Sequence, residues 1–463
     1  MNQTVSKVRE ARLELYRKKG KIHARSVDGR FNRARWAMVW LTQIIFYGGV
    51  WLTWSGQGGS RQAILFDIAH QKLYLFDLVL WPQDALLLAF VLIVGATALF
   101  FVTALAGRLF CGFACPQTVY TMIFVWIEAR VEGDHLARLR LDQEAPNARK
   151  LALRTVKHAL WVVVAGWTAI TFVGYFTPIR ELLPALVAFE TGPWETFWLI
   201  FYAAFTYVQA GLAREAVCQH MCPYSRFQGV MFDPATANVG YDRGRGEPRG
   251  ALRRTGGTGA CIDCGICVQV CPTGIDIRDG LQYQCINCGL CIDGCDQVMD
   301  RIGAPRGLVR FITENEIAGR PKRRGIAPRP RVAAYAGLLA VFAVATVWTL
   351  HERVPLHVDV IRDRGVLMRE TPDGRIENAY TLKLINLAEA ERAFRIGVSG
   401  LPGLEIVGSD VFEVAPGSIR AVTLAVSSPG ADMPSGIHPI EFETVALDPL
   451  RTAVREKSTF MLP

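Results

Sequence analysis

The middle of the chain reads Cys261-Ile-Asp-Cys264-Gly-Ile-Cys267-Val-Gln-Val-Cys271-Pro272 and then Cys285-Ile-Asn-Cys288-Gly-Leu-Cys291-Ile-Asp-Gly-Cys295. Both runs have the spacing C-x-x-C-x-x-C-x-x-x-C. Three thiolates at successive three-residue steps fit three iron corners of a cubane cluster, and in two-cluster ferredoxins the fourth cysteine reaches the other cluster. The pattern therefore predicts two [4Fe-4S] clusters in a bacterial ferredoxin-like domain. We assign one cluster to Cys261, Cys264, Cys267 and Cys295, and the other to Cys271, Cys285, Cys288 and Cys291.

Two zinc ions, each held by four cysteines, are the alternative for the same residues. Zinc sites usually pair two C-x-x-C knuckles across a longer interval, so the spacing favours iron and sulfide. Pro272 follows the first run, as the bacterial pattern expects, whereas Asp296 follows Cys295. We expect ligation to survive, because proline gives no bond to iron, and we expect the Asp296 carboxylate to lower the potential of the nearer cluster.

The composition places part of the 463-residue chain in lipid, because 51% of its residues are hydrophobic and only 20% are charged. Its net charge of +9 is uneven: residues 352–463 hold 12 Lys and Arg against 16 Asp and Glu, which leaves +13 on the rest. A basic body with an acidic tail indicates a membrane protein with a separate outer domain. All 12 cysteines lie between Cys111 and Cys295, in close groups that indicate metal binding and not disulfides.

Apolar windows near the length of a bilayer span predict five transmembrane helices, at residues 36–54, 85–107, 160–176, 197–212 and 333–350. We interpret the first as a retained anchor and not a cleaved signal peptide, because 35 polar and basic residues precede it. Two shorter apolar runs lie between these windows. Residues 73–81 favour an interfacial strand or hairpin, and residues 119–127 favour a helix lying at the membrane surface.

The Lys and Arg counts of the segments between the spans alternate as 11, 2, 8, 1 and 17. Cytoplasmic segments of membrane proteins are enriched in these residues. The alternation therefore predicts that the amino terminus, the loop after the second span and the segment after the fourth are cytosolic, and that the tail from His351 is exported.

Four further cysteines form the motifs Cys111-Gly-Phe-Ala-Cys115-Pro116 and Cys218-Gln-His-Met-Cys222-Pro223. The offset between the motifs is 107 residues, and each follows an even-numbered span, which indicates an internal duplication. Proline is favoured at the first helical position, so we predict that the second cysteine of each motif caps a helix, where the thiol is activated. Arg108 and Arg214 add positive charge nearby.

Three interpretations of these CxxxCP motifs stay open from sequence. The four cysteines are buried packing residues, a soft-metal site at which thiolate prefers Cu(I), or the ligands of a further iron–sulfur cluster. His220 and Met221 are candidates to assist copper. The sequence does not reveal whether the two pairs converge on one site.

The remaining regions complete the domain plan. The tail alternates apolar and polar residues at 379–386, 393–398, 418–426 and 438–445, which predicts a small β-sandwich whose role is docking. Basic residues in segment 1–35 suit contact with lipid headgroups, so no nucleic-acid partner is expected. We predict a basic cytosolic segment 1–35, a membrane domain 36–230, a ferredoxin-like domain 231–319, a basic linker with the fifth span 320–350, and an outer domain 351–463.

This arrangement closely resembles one family, the cytochrome c oxidase accessory proteins called CcoG, FixG or RdxA. The likeness extends from the Cys111 motif through the double ferredoxin run to the tail, which in the family is an immunoglobulin-like domain. It implies a bacterial inner-membrane cupric reductase that supplies Cu(I) during assembly of the cbb-type oxidase. In that role Cys111, Cys115, Cys218 and Cys222 are the catalytic and copper-binding residues.

The implied partners are copper ions, an unidentified cytosolic electron donor, and copper-delivery or oxidase assembly proteins. No Gly-rich nucleotide-binding fingerprint precedes a helix, so direct NAD(P)H or flavin binding is not predicted. The paired CxxxCP loops also resemble those of NapH-like membrane carriers. A quinol-linked carrier and a non-enzymatic assembly scaffold therefore remain alternatives, and homo-oligomer formation is left open.

Overall fold

The structure is a computed structural model that describes residues 22–56, 59–250, 259–319, 329–363, 368–429, 434–448 and 452–463. The chain forms two compact units, which divide at Gly49, Phe90 and Ala343. The first unit holds residues 91–343 and the described residues up to Gly49, and the second holds 50–90 and 344–463. Residues 1–21 and most of the predicted basic linker, 320–328, lie outside the described residues.

Among the described residues, five helices are long and apolar enough to cross a membrane, namely Pro82–Ala106, Leu109–Glu132, Ala148–Val173, Pro193–Ala213 and Pro330–His351. Four of them coincide with predicted spans. The predicted first span, residues 36–54, is instead the helix Arg30–Gly49, which is not among the five. This helix begins earlier than expected and so includes three arginines, and the chain then enters a strand at Thr53.

The apolar run 119–127, predicted to lie at the surface, belongs to the helix Pro116–Glu132. Length and composition would let this region cross a membrane, and contacts near both of its ends link it to neighbouring segments. Near the start, Thr118 Oγ1 donates to Cys111 O at 2.6 Å. Near the end, Glu128 pairs with Arg138, whose Nη2 donates to Ala24 O at 2.8 Å. The adjacent Arg25 donates its backbone N–H to Gln269 O at 2.8 Å, which links this end of the helix to the ferredoxin-like domain. The position of the helix at the membrane surface stays a prediction.

The helix Pro116–Glu132 packs on the helix Ala148–Val173 through Trp161, which stacks on Phe124 with ring centroids 5.3 Å apart. The helix Pro193–Thr206 continues as a π-helical segment, Tyr207–Ala213, and a second π-helical segment spans Val217–Met221. Such segments are rare and often occur at functional sites. The other helices of this region are Ala85–Ala106, Leu109–Phe113, His135–Gln143, Ile179–Ala188 and Pro223–Met231.

The ferredoxin-like domain is closed by an antiparallel pair of strands, Asn238–Tyr241 and Val309–Ile312. Its longest helix, Leu290–Arg301, begins inside the second cysteine run. Shorter helices complete it at Arg243–Gly246, Ile266–Gln269, Ile277–Asp279 and Glu314–Ile317.

The second unit contains the predicted β-sandwich, and all four predicted strands are present. One sheet has the order Glu405–Val407, Ile419–Ser428, Ile376–Asn386 and Leu356–Arg362, with Arg369–Glu370 beside the third. The other has the order Val411–Val414, Arg392–Ser399, Gly436–Ala446 and Ala453–Leu462. Apolar side chains of both sheets, including the fully buried Tyr380, Phe394 and Phe460, form one core between them.

Residues 50–90 join this unit, although we predicted them within the membrane domain. They form the hairpin Thr53–Gly56 with Gly59–Gln62, and a three-stranded sheet of Ile64–Asp67, Lys72–Leu75 and Leu78–Leu80. The second sheet confirms the hairpin predicted at 73–81. Two ion pairs explain the association: Arg61 with Glu389 at 2.5 Å, and Arg353 with Asp84 at 2.7 Å.

Candidate redox site

Each set of four cysteines assigned to a cluster lines one cavity of the ferredoxin-like domain. The first cavity is lined by Cys261, Cys264, Cys267 and Cys295. The second is lined by Cys271, Cys285, Cys288 and Cys291, and also by Cys267. The structure thus brings the last cysteine of each run to the other run, which is the crossed arrangement expected from the spacing.

The loops before the helices Ile266–Gln269 and Leu290–Arg301 have the same unusual backbone conformation. Asp263 and Gly265 in the first run, and Asn287 and Gly289 in the second, all have positive φ between 52° and 74°. Left-handed conformation at two positions around the second cysteine bends the chain back around a central volume. Glycine suits the last of these positions because it has no Cβ penalty there.

The surroundings of the thiols oppose a negative charge that no bound metal ion balances. Burial raises the pKa of Cys285 to about 12 and of Cys267 to about 11, and neighbouring thiols add to both shifts. Burial likewise raises the pKa of Cys295 to about 12. Thiols held in this way ionise together only when bound metal replaces their protons.

The spacing of the donors disfavours zinc. Among the described residues, no three His, Cys, Asp or Glu side chains come together closely enough to hold one metal ion. A zinc site needs its sulfurs around a single point at about 2.3 Å from the ion. A cubane cluster fills the middle of its site and keeps its four cysteine ligands apart from one another. This arrangement agrees with the two cysteine-lined cavities.

The two CxxxCP motifs converge, which the sequence could not reveal. Cys218 lies within electrostatic range of Cys111, Cys115 and Cys222, and Cys111 lies within range of Cys115 and Cys222. We call these four residues the four-thiol site. As predicted, Cys115 and Cys222 are the N-cap residues of the helices Pro116–Glu132 and Pro223–Met231. Burial and the other thiols raise the pKa of Cys218 to about 12, so this thiol is not activated in the absence of a bound cation.

A buried amide completes the surroundings of the four-thiol site. Gln228 is fully buried, and its Nε2 donates to Cys111 Sγ at 3.4 Å. Its Oε1 is buried and has no hydrogen-bond partner. A buried acceptor without a donor is costly, so the site is organised for a group that the chain itself does not supply.

Arg108 and Arg214, which we expected to flank the motifs, have different roles. Arg108 is buried, donates to Ser225 O and acts electrostatically on both Cys111 and Cys285. Its charge therefore serves the four-thiol site and the ferredoxin-like domain together. Arg214 instead pairs with the fully buried Glu128 at 3.0 Å, so its charge is largely neutralised there.

The first CxxxCP motif rests directly on the ferredoxin-like domain. A Cβ at Gly112 would lie 2.7 Å from Ile286 O and 2.9 Å from the Cα of Cys288. Arg35, which is only 3% exposed, donates from Nε to Gly112 O at 3.0 Å. Arg35 also lies within electrostatic range of Cys288 and Cys271. The four-thiol site and one predicted cluster are therefore adjacent.

Sequence reasoning missed Gly112, Arg35, Gln228 and Asn287 as members of this site. Asn287 ties the two parts together, because its Nδ2 donates to Asn238 Oδ1 at 2.9 Å and to Ala106 O at 3.4 Å. The internal duplication of the CxxxCP motifs contains one sequence signal for the role of Gly112. The counterpart of Gly112 in the second motif is Gln219, so only the first motif has a glycine that permits close backbone approach.

Comparison with known families agrees with this plan. Residues 213–314 match the family described as a 4Fe-4S dicluster domain, and residues 88–131 match a 4Fe-4S binding domain. Residues 346–463 match the IG-like fold at the C-terminal of FixG. These matches confirm the two predicted [4Fe-4S] clusters and the immunoglobulin-like fold of the tail.

Similar proteins cover most of the chain. It is 36% identical to the nitrogen fixation protein FixG of Rhizobium meliloti, over 89% of this chain and 85% of that protein. It is 38% identical to protein RdxA of Cereibacter sphaeroides, over 91% of this chain and 92% of that protein. The methylamine utilization ferredoxin-type protein MauN of Methylorubrum extorquens is 26% identical, over 51% of this chain and 74% of that protein. The chain therefore belongs to the family of FixG and RdxA.

Proposed function

We propose that this chain is a membrane-bound cupric reductase, which converts Cu(II) to Cu(I) for copper delivery during assembly of a cbb-type cytochrome c oxidase. The observation that carries the proposal is the convergence of four thiols against the loop of Cys288. Thiolate is a soft ligand that stabilises Cu(I), and an iron–sulfur cluster supplies electrons singly. A reduced cluster held by the ferredoxin-like domain would supply one electron for each Cu(II) reduced to Cu(I).

Each residue set has its own role in this proposal. The eight cysteines of the ferredoxin-like domain hold two [4Fe-4S] clusters, which supply one-electron redox chemistry when bound. The four-thiol site receives copper as the substrate, bound by two thiols at a time, because no three donors among the described residues lie close enough to hold one ion. Gly112 and Arg35 keep the site close to the cluster beside Cys288.

The charge pattern supports a location in the bacterial inner membrane. The segments with most Lys and Arg, including the ferredoxin-like domain, lie on the cytosolic side in this proposal, and the immunoglobulin-like domain lies in the periplasm. Copper-delivery or oxidase assembly proteins are then the partners of the outer domain. A reporter fused after Leu350 tests the orientation, because activity only in the cytosol would contradict it.

The decisive experiment compares wild type with Cys115→Ser/Cys222→Ser. Anaerobically purified protein is reduced with dithionite, freed of excess reductant and mixed with Cu(II), and Cu(I) is trapped with a chelator. We expect the double variant to lose Cu(I) formation and to keep the EPR signals of the reduced clusters. Equal Cu(I) yields from both proteins would overturn the proposal.

A second candidate is an electron carrier with a third cluster at the four-thiol site. The match of residues 88–131 to a 4Fe-4S binding domain favours it, because that range contains Cys111 and Cys115. Iron content separates the two functions: about eight iron atoms per chain suit two clusters, and about twelve suit three. A loss of about four iron atoms in the double variant would favour the carrier.

A further inference from the structure

A cavity of about 430 Å³ lies between the ferredoxin-like domain and the helix Pro116–Glu132. Its volume falls in the range of small-molecule sites. The walls are mostly apolar, and the side chains that form them include Trp36, Met122, Val125, Trp126, Ile286 and Leu290. Trp36 and Trp126 meet edge to face, with ring centroids 6.4 Å apart. The aromatic and aliphatic part of the walls offers a packing surface to a flat, apolar ring.

The position of this cavity is as informative as its walls. Cys218 of the four-thiol site lines it, and so do Pro272 and Thr273, which directly follow the cluster cysteine Cys271. A molecule in the cavity would therefore lie beside both redox sites. Trp126, on the helix Pro116–Glu132, is 47% exposed. One wall of the cavity therefore reaches an apolar outer surface of the protein, from which a lipid-soluble molecule has access.

Arg35 supplies hydrogen-bond donors at this cavity. It lines the cavity, is only 3% exposed, and within the described part of the chain hydrogen-bonds solely through Nε, to Gly112 O. A guanidinium has five N–H donors, so a buried one with spare donors is poised for an acceptor. A ring carbonyl or hydroxyl oxygen is an acceptor of this kind.

We propose that this cavity binds the head group of a lipid-soluble hydroquinone, which donates electrons to the iron–sulfur clusters. The inference rests on the proposed function and names its electron donor. One hydroquinone is oxidised to quinone and releases two electrons and two protons. The clusters that the eight cysteines would hold would take these electrons singly, and the two electrons would reduce two Cu(II) ions to two Cu(I). Asp28 and Glu215 also line the cavity, and their carboxylates are the groups proposed to accept the protons.

The test uses the full-length chain, purified anaerobically in detergent with its clusters. Decylubiquinone is titrated while tryptophan fluorescence is followed, and decylubiquinol is added while bleaching of the cluster absorbance is followed. The cavity is filled by Val125→Phe, and Val163→Phe is the matched control, since Val163 is 66% exposed on the helix Ala148–Val173. Arg35→Gln removes the charge and keeps a donor.

We expect saturable quenching and cluster bleaching in wild type and in Val163→Phe. Val125→Phe should bind decylubiquinone at least about tenfold more weakly with unchanged cluster content, and Arg35→Gln should weaken binding in the same direction. Equal affinity in Val125→Phe and Val163→Phe would overturn the inference. If Val125→Phe fails to fold, unchanged affinity in Arg35→Gln would overturn it.

Two further outcomes separate this inference from the proposed function. If dithionite-reduced protein converts Cu(II) but decylubiquinol never bleaches the clusters, the hydroquinone site is wrong and the cupric reductase stands. If decylubiquinol bleaches the clusters but no Cu(I) forms, the site stands and the cupric reductase is wrong. Displacement of decylubiquinone by phosphatidylglycerol alone would identify the occupant as a lipid and contradict the inference.

Discussion

Gly112 and Cys288 approach so closely that no side chain fits between them. A Cβ at Gly112 would lie 2.9 Å from the Cα and 3.0 Å from the backbone nitrogen of Cys288. Because these atoms belong to the backbone, a change of rotamer cannot relieve the clash. The contact therefore fixes the distance between the first CxxxCP motif and the ferredoxin-like domain.

We predict that Gly112→Ala slows electron transfer from the reduced clusters to Cu(II) several-fold, because the two parts must separate. Cluster content should stay unchanged, since no ligand is lost. Stopped-flow recovery of the cluster absorbance after mixing with Cu(II) measures the rate. Gln219→Ala is the control, because it changes the equivalent position 107 residues later. Equal rates in Gly112→Ala and wild type would contradict the importance of this contact.

A second prediction concerns Arg108, whose buried charge acts on Cys285 as well as on Cys111. Positive charge favours the reduced, more negative state of a cluster. Arg108→Gln should therefore shift the potential of the cluster assigned to Cys285 to more negative values. Redox titration followed by EPR measures the shift. Arg226→Gln is the control, because Arg226 is exposed. An equal shift of the cluster potential in both variants would show that Arg108 has no specific effect on it.

The local parts of this site were predictable, and its assembly was not. The crossed cysteine sets follow from spacing within about 35 residues, because each loop wraps one cluster whatever surrounds it. Convergence of the two CxxxCP pairs depends on how helices more than 100 residues apart pack. Nothing in the periodicity of either motif encodes that packing, and Gln228 became part of the site only through it.

The membrane boundaries reveal a similar limit. Apolar windows located four spans, because burial in lipid requires a continuous apolar run. The helix Arg30–Gly49 does not follow this rule, because it includes three arginines, and the Nε of the buried Arg35 donates to Gly112 O inside the protein. Residues 50–90 were misplaced for a related reason: ion pairs such as Arg61 with Glu389 join positions more than 300 residues apart.

A third prediction tests the departure from the bacterial pattern at Asp296. Its carboxylate lies close enough to Cys295 to act on it electrostatically, and Oδ1 accepts a hydrogen bond from Gly307 N at 2.9 Å. Asp296→Asn removes the charge and keeps an acceptor. The potential of the cluster assigned to Cys295 should become more positive. Asp300→Asn is the exposed control on the same helix, and no difference between the variants in redox titration would exclude the effect.

The last prediction concerns stability and the fully buried Glu128. This carboxylate pairs with Arg214 at 3.0 Å, Arg138 at 3.3 Å and Lys157 at 3.7 Å. Glu128→Gln would leave buried cations undercompensated, which typically costs about 3–5 kcal/mol. We expect a clearly lower thermal unfolding temperature in detergent. Glu190→Gln, at an exposed position, should leave that temperature unchanged. Equal stability of the two variants would mean that water or other groups compensate the cations. In that case the buried ion cluster would not be what holds the helix Pro116–Glu132 against the helix Ala148–Val173.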